Sequence, residues 1–316
     1  MKRSGRCFTM EALYDYLNIS RQSHHKWLQR RVLELEHEEL VCNTCKQYRE
    51  NHKRMSSRKI YSIIKDAMPI GRDKFERYAH RNGFAVRIKR SMRRTTIPLR
   101  EGIVPNLIEG MVLNGPNQVF QSDIFYLKVE DKTMYGFVII DVYTKELQVL
   151  HIANNMRAEE LVKAVKKLAR KIGTKNLMGA ILHSDRGSQY GDMAFVALCK
   201  ELKIQRSMGK RSQQNAYAER VQGTIQYEYL FETKVTLSNL NCQMAKIARL
   251  YNLERPHYSL GGMTPVRFAQ EMSKTRIGDR PETHIYQWVE PILTKEMLFN
   301  KKEKSSKKEK TLQHNY

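Results

Sequence analysis

Two periodicities divide the chain. Through about residue 85, apolar side chains recur at the three-to-four spacing of helices; from about residue 117 they alternate or run together as in strands. Residues 10–31 read as two short helices about a tight turn, with Leu13, Leu17, Ile19, Trp27 and Leu28 as apolar positions and Ser20 capping the second helix. A further helix continues over 32–52. Residues 57–68 and 72–82 then repeat the helix-turn-helix rhythm, with Ile70 and Gly71 turning the chain and Gly83 stopping it. Downstream, 118–129, 135–143 and 147–153 are rich in β-branched and aromatic residues between short polar turns, which predicts three antiparallel strands in succession. Residues 158–172 put Leu161, Val165, Leu168 and Ile172 on one stripe, as a helix packed on a sheet requires. A strand over 178–183, a helix over 192–202, a strand over 204–208 and a long helix over 215–232 follow. The order βββαβαβα is that of a ribonuclease-H-like fold. The expected class is therefore α/β, a mixed-sheet core preceded by all-α helix-turn-helix units.

Charge sharpens this division. The formal net charge is +23, of which residues 1–100 carry +14. Such a balance favours a polyanionic partner, nucleic acid, over an acidic small molecule. Residues 86–100, with Arg87, Lys89, Arg90, Arg93, Arg94 and Arg100, read as a basic linker that follows a phosphate backbone. The expected organisation is a helical DNA-binding region at 1–85, a linker at 86–114, a catalytic core at 115–272, an extension at 273–299 and a disordered basic tail at 300–316. Cys42 and Cys45 form a lone C-x-x-C without two further ligands at fixed spacing, so a helix surface is the simpler reading than a zinc site. No apolar run approaches the roughly 20 residues of a membrane span, and no signal-peptide pattern opens the chain, so a cytoplasmic location is expected.

The chemistry is carried by three acids. Asp123 falls within the first core strand, Asp185 at the end of the fourth and Glu219 near the start of the last long helix. Singly, each has an ordinary role open to it, as a strand-edge, turn or solvated helix residue. Together they form the cluster that phosphodiester chemistry needs: carboxylates holding two Mg2+ or Mn2+ ions, with Asp123 bridging and Asp185 and Glu219 taking one ion each. Glu228 and Glu232 are the rivals for the third position. On a uniform helix Glu228 points away from Glu219 and Glu232 lies too far along the axis, so Glu228→Gln is expected to stay active.

The residues around these acids resemble the DDE transposases of the insertion-sequence-three family, which have a retroviral-integrase-like catalytic core. The stretches that carry the resemblance are QSDIFYLKV, GFVIIDVYTKELQVL, ILHSDRGSQY, QRSMGKRSQQNAYAERVQGTIQYEYL and YNLERPHYSLGGMTP, with RMSSRKIY and IGRDKFERYAHRNGF upstream; about residues 10–270 are covered. The resemblance implies a transposase of a bacterial insertion sequence that binds terminal inverted repeats and cleaves a 3′ end. The freed 3′-hydroxyl would then attack target DNA. It also implies a homo-oligomer on DNA, association with the nucleoid and, as in many members, fusion to an upstream-frame protein. Two departures stand out. Thirty-three residues separate Asp185 from Glu219, two fewer than is usual, and Gln214 replaces an acidic residue before Asn215.

DNA contacts are expected from Arg21, Gln22, His24 and Lys26 on the second helix of the first unit, from Arg58, Lys59, Arg72 and Lys74 on the second unit, from Arg87, Lys89 and Arg90 in the linker, and from Lys210, Arg211 and Asn215 at the mouth of the site. His183, Arg186, Ser188 and Gln189 suit either metal-site ordering or a packed turn. Asp141 reads as structural. Asn252, Arg255 and His257 suit either DNA binding or helix packing. A DNA-binding regulator with an inert core, and a hydrolytic nuclease of the same fold, are the competing functions.

Overall fold

The computed structural model describes residues 9–86, 104–209, 212–231 and 233–285. Arg87, Lys89, Arg90, Lys210, Arg211, Glu232 and the 300–316 tail lie outside the described residues. The helical part comprises α1 (Met10–Leu17), α2 (Arg21–Asn51), α3 (Ser57–Ile64) and α4 (Arg72–Arg81). Thr9, Ser20 and Ser56 cap the first three helices, each accepting from a backbone N–H three residues on.

The first helix-turn-helix unit differs from its expectation. The second helix of that unit and the helix over 32–52 are one 31-residue rod. Residues 21–51 contain no Gly or Pro, so nothing stops propagation once Ser20 has started the helix. Helix α1 buries no residue, and Leu13, Leu17, Ile19, Trp27 and Leu28 are all exposed. The compact core of the helical part lies instead where the C-terminal half of α2 meets α3 and α4, around Val41, Cys45, Met55, Ile60, Phe75 and Tyr78. Cys45 is therefore a core residue and not part of a helix surface.

In the core, β2 (Val119–Val129), β3 (Lys132–Asp141) and β4 (Leu147–Ala153) form an antiparallel meander. Strands β5 (Ile181–Ser184) and β6 (Gln205–Met208) add in parallel, giving the order β4-β3-β2-β5-β6. This is the ribonuclease-H-like topology. Amphipathic α5 (Ala158–Ile172), short α6 (Thr174–Leu177) and α7 (Met193–Glu201) bury one face of the sheet over Phe120, Phe137, Ile139 and Leu182. The other face, over Phe125, Leu127, Val138 and Ile140, is covered by α8 (Ala216–Thr224), a π-helical turn (Ile225–Tyr229) and α9 (Leu240–Leu253).

Two segments assigned from sequence to the linker and the C-terminal extension belong to this body. Strand β1 (Val112–Leu113) pairs with β7 (Thr283–His284), and Ile108, Leu113 and Ile285 pack with Tyr143 and with Phe268 of α10 (Pro265–Lys274). Two-residue strands leave too little periodicity to be read from sequence. Among the described residues no helix is long and apolar enough to cross a membrane.

Candidate active site

The parallel pairing of β2 with β5 sets Val119 against Ile181 and Gln121 against His183. Continuing that register by two residues brings Asp123 beside Asp185, one strand spacing apart, about 4.8 Å between backbones. Strand β5 ends at Ser184, so Asp185 stands where the chain leaves the sheet, its Oδ1 accepting from Gly187 N at 3.0 Å. Asp123 lies on the same strand face as Gln121 and Phe125, the face that α8 covers.

Glu219 is in the first turn of α8, and that helix end is fastened to β2 by side chains. Gln121 Oε1 accepts from Tyr217 N at 2.9 Å and from Ala218 N at 3.3 Å, while its Nε2 donates to Gln214 O at 3.1 Å. Asn215 Nδ2 donates to Ser122 O at 2.9 Å. Gln121 thus caps a helix from a neighbouring strand, satisfying N–H groups that helix starts leave open. Sequence reasoning passed over it, although a Gln at an inward strand position two residues before an Asp was a visible signal. Ser122, on the opposite face, meets Tyr190 OH at 2.9 Å.

The three acids act on one another electrostatically. The Asp123 carboxyl is pushed up to about 8, first by burial, then by the charge of Asp185, with Glu219 adding and the Ile124 N–H opposing. Glu219 is raised by burial and then by Asp185. As placed, the three side chains do not close on one point: among the described residues no group of three His, Cys, Asp or Glu has the geometry to hold an ion. Their chemistry nevertheless suits a hard divalent cation, because all three are oxygen donors and a cation would relieve the repulsion that raises them.

The remaining site residues distribute as follows. His183 is buried, with Nδ1 on Ser207 Oγ at 2.9 Å, and burial lowers its pKa to about 4, so it is a neutral packing group. Asp141 is buried and accepts from Thr144 N, Thr144 Oγ1 and Asn117 N, a structural role. Asn215 is buried behind the site instead of lining its mouth. Arg21, Gln22 and Lys26 are exposed on α2, whereas His24 is half-buried, bonded to Tyr14 OH at 2.9 Å and stacked on Trp27. Arg58 is paired with Glu76, Arg72 with Asp73, and Lys74 lies over the Tyr78 ring.

Lys59 departs furthest from its expectation, because it faces the core and its Nζ donates to Glu228 Oε1 at 3.3 Å. Arg255 grips the same carboxylate through Nε at 2.9 Å and Nη2 at 2.8 Å, and Asn252 bonds both the N and the O of Leu147. Those two signature residues therefore pack the fold.

Residues 114–213 match the family model described as integrase core domain, and residues 200–265 match a second model of the same description. The chain is 27% identical over 217 residues to the 31 kDa protein of insertion element IS600 from Shigella sonnei, covering 66% of this chain and 78% of that one. It is 27% identical over 173 residues to the transposase for insertion sequence element IS904 from Lactococcus lactis, covering 52% and 66%. The chain is an insertion-sequence transposase with an integrase core domain. Among solved structures, the transposase is similar to the catalytic core domain of HTLV-2 integrase in complex with magnesium, at 18% identity and a TM-score of 0.40, over 49% of this chain and 97% of that one.

Proposed function

We propose that this transposase cuts and joins DNA strands at the ends of its element, with Asp123, Asp185 and Glu219 as the ligands of two Mg2+ or Mn2+ ions. The observation that carries the reading is the neighbourhood of the three acids: Asp123 on β2, Asp185 one residue past the end of the parallel β5 and in line with Asp123 by register, and Glu219 on a helix fastened to β2 by Gln121 and Asn215. Bound divalent ions would supply charge neutralisation at the attacking and leaving oxygens of an in-line displacement. The chain itself supplies rigidity. Asp123 sits mid-strand between two paired neighbours, and Glu219 sits on a helix whose start cannot drift from that strand without breaking Gln121's bonds.

The DNA partner follows from the charge of +23 and from the exposed Arg21, Gln22 and Lys26 on α2, which suit phosphate and base-edge contact at terminal inverted repeats. Two ends must be joined and each chain offers one acid cluster, so a homo-oligomer on DNA is part of the reading.

The test is to incubate the full chain and Mg2+ with a duplex carrying an element terminus and a second duplex as target. Joined strands are expected, and chelation of the metal should abolish them. Products of hydrolysis alone would reduce the reading to a nuclease.

A further inference from the structure

A cavity of about 690 Å³ opens along the face of α8 that carries Tyr217 and Arg220 and not Glu219. Lys59 of the helical part, Lys145 of the β3–β4 turn, Arg220 of α8, and Arg255 and His257 of the segment after α9 converge on it from four different segments. Their negative partners among the described residues are too few. One carboxylate, Glu228, serves both Arg255 and Lys59. Asp141, near Lys145, is already engaged by three donors, and Lys145 directs its Nζ to Val142 O and over the Tyr217 ring at 3.9 Å. The Arg220 side chain makes no hydrogen bond or ion pair to another described residue, and its carbonyl accepts from Thr224 Oγ1 at 2.9 Å. Glu109 and Glu282 stand at the rim, where Glu282 is 59% exposed and pairs with His284.

The interior is accordingly positive. Burial, then Arg255, draws the Lys59 ammonium down to about 8. Burial draws Lys145 down to about 8 as well, with Arg220 adding and Asp141 opposing. His257 is lowered to about 2, by burial and then by Arg255, Lys59, Arg220 and Lys145; the charges that act on it most strongly are all cations. Tyr217 and the exposed Tyr258 add aromatic surface to the same walls. Cations lining a groove beside accessible rings is the combination that unpaired nucleic acid strands occupy.

We propose that this cavity binds a phosphate group of an unpaired DNA strand, held by Arg220, Lys59 and Lys145, with the adjoining base against Tyr258. The inference rests on the DNA-joining reading above and adds a second strand contact on the far side of the catalytic helix. It gives the strand a path past α8 that is distinct from the carboxylates.

The test compares the full wild-type chain with Arg220→Gln, a change at an exposed side chain without a partner among the described residues, and with Tyr258→Ala. The probe is a fluorescent duplex with a single-stranded overhang, titrated across salt. Arg220→Gln is expected to weaken binding about five-fold or more near 100 mM salt and to flatten the log–log salt slope by roughly 0.7, the loss of one single-strand phosphate contact. Tyr258→Ala should weaken binding with the slope unchanged. Lys175→Gln, on α6 across the sheet, should match the wild type in both. Arg220→Gln with wild-type affinity and slope would overturn the inference alone. So would inorganic phosphate that binds and is lost in Arg220→Gln while strand binding is not. A wild-type chain that binds no DNA would overturn the functional reading with it.

Discussion

At the scale of single residues, the site is built at the expense of stability, and pH exposes this. An unfolded Asp titrates near 3.9, whereas burial and Asp185 hold folded Asp123 at about 8. Folding is therefore favoured by the protonated form. That contribution is fully present below about 3.9 and is lost as pH rises towards 8. Asp123→Asn carries no charge, so in chelator it should melt above the wild type by a few degrees at pH 8, the gap opening between about pH 4 and 8. Added Mg2+ should raise the wild-type midpoint and leave the variant's unchanged; an Asp123→Asn that melts below wild type in chelator at pH 8 would contradict this.

Glu219→Gln should lower strand joining on the order of 10³-fold or more while DNA-end binding persists. Glu228→Gln, expected from helix periodicity to stay active, should nonetheless destabilise the fold. Burial works to raise Glu228, but the hydrogen bonds and charges of Arg255 and Lys59 outweigh it and its pKa is lowered. Neutralising that carboxylate leaves two inward cations without their counter-charge, a loss of about 3 kcal/mol. The deficit should be full above the ordinary glutamate range and shrink as acid protonates Glu228 in the wild type. Thermal melting at pH 7 and pH 4 checks both the size and the trend.

At the scale of elements, the junction of β2 with α8 decides whether the acids meet. Gln121→Leu keeps the volume but removes the acceptor for Tyr217 N and Ala218 N and the donor to Gln214 O. It should cost about 1–2 kcal/mol, as losing a helix cap does. Joining should slow about 10- to 100-fold, as when a ligand's supporting contact is cut, with DNA affinity held. Rescue of the rate by Gln121→Glu would show that the acceptor is what matters. A second element-level constraint is Gly136 on β3, opposite Phe125 on β2. A Cβ there would lie 2.2 Å from the Phe125 ring, too close for any real contact. Gly136→Ala should therefore destabilise by about 1–3 kcal/mol, as overpacking does, readable as a lower denaturant midpoint.

At the scale of the whole molecule, the helical part and the core form one connected body. Lys59 reaches Glu228, His52 bonds Tyr229 OH and Glu254, each at 3.2 Å, and Arg54 lies 4.0 Å over the Phe231 ring. On the proposed function, DNA held by α2 would thereby be kept in fixed relation to the helix that carries Glu219. With phosphate contacts dominating, affinity for an element end should fall about 10³-fold or more between 50 and 200 mM salt. Light scattering on the joined complex should give at least two chains per pair of ends. A strictly 1:1 complex that still joins strands would refute the oligomer.

Much of this was legible in the chain alone, because local chemistry decides it. The alternation in 118–153 dictates a meander, the stripe of Leu161, Val165 and Leu168 dictates a helix lying on it, and the Ser20 cap starts α2 where expected. Asp123, Asp185 and Glu219 could be picked out because the stretches around them resemble the DDE transposases and the expected order of strands and helices brings them towards one another. What only the tertiary structure decided depends on segments distant in sequence. A Gln on β2 caps α8, β1 finds β7 across the whole core, and Lys59 turns inward because Glu228 waits 169 residues away. A π-helical turn, closed by Leu230 N donating to Ile225 O at 2.9 Å, breaks the uniform rotation from which the facing of Glu228 was read. Periodicity reports which side of an element is apolar. It carries no information about which distant group that side will meet, and buried charge is governed by the group it meets.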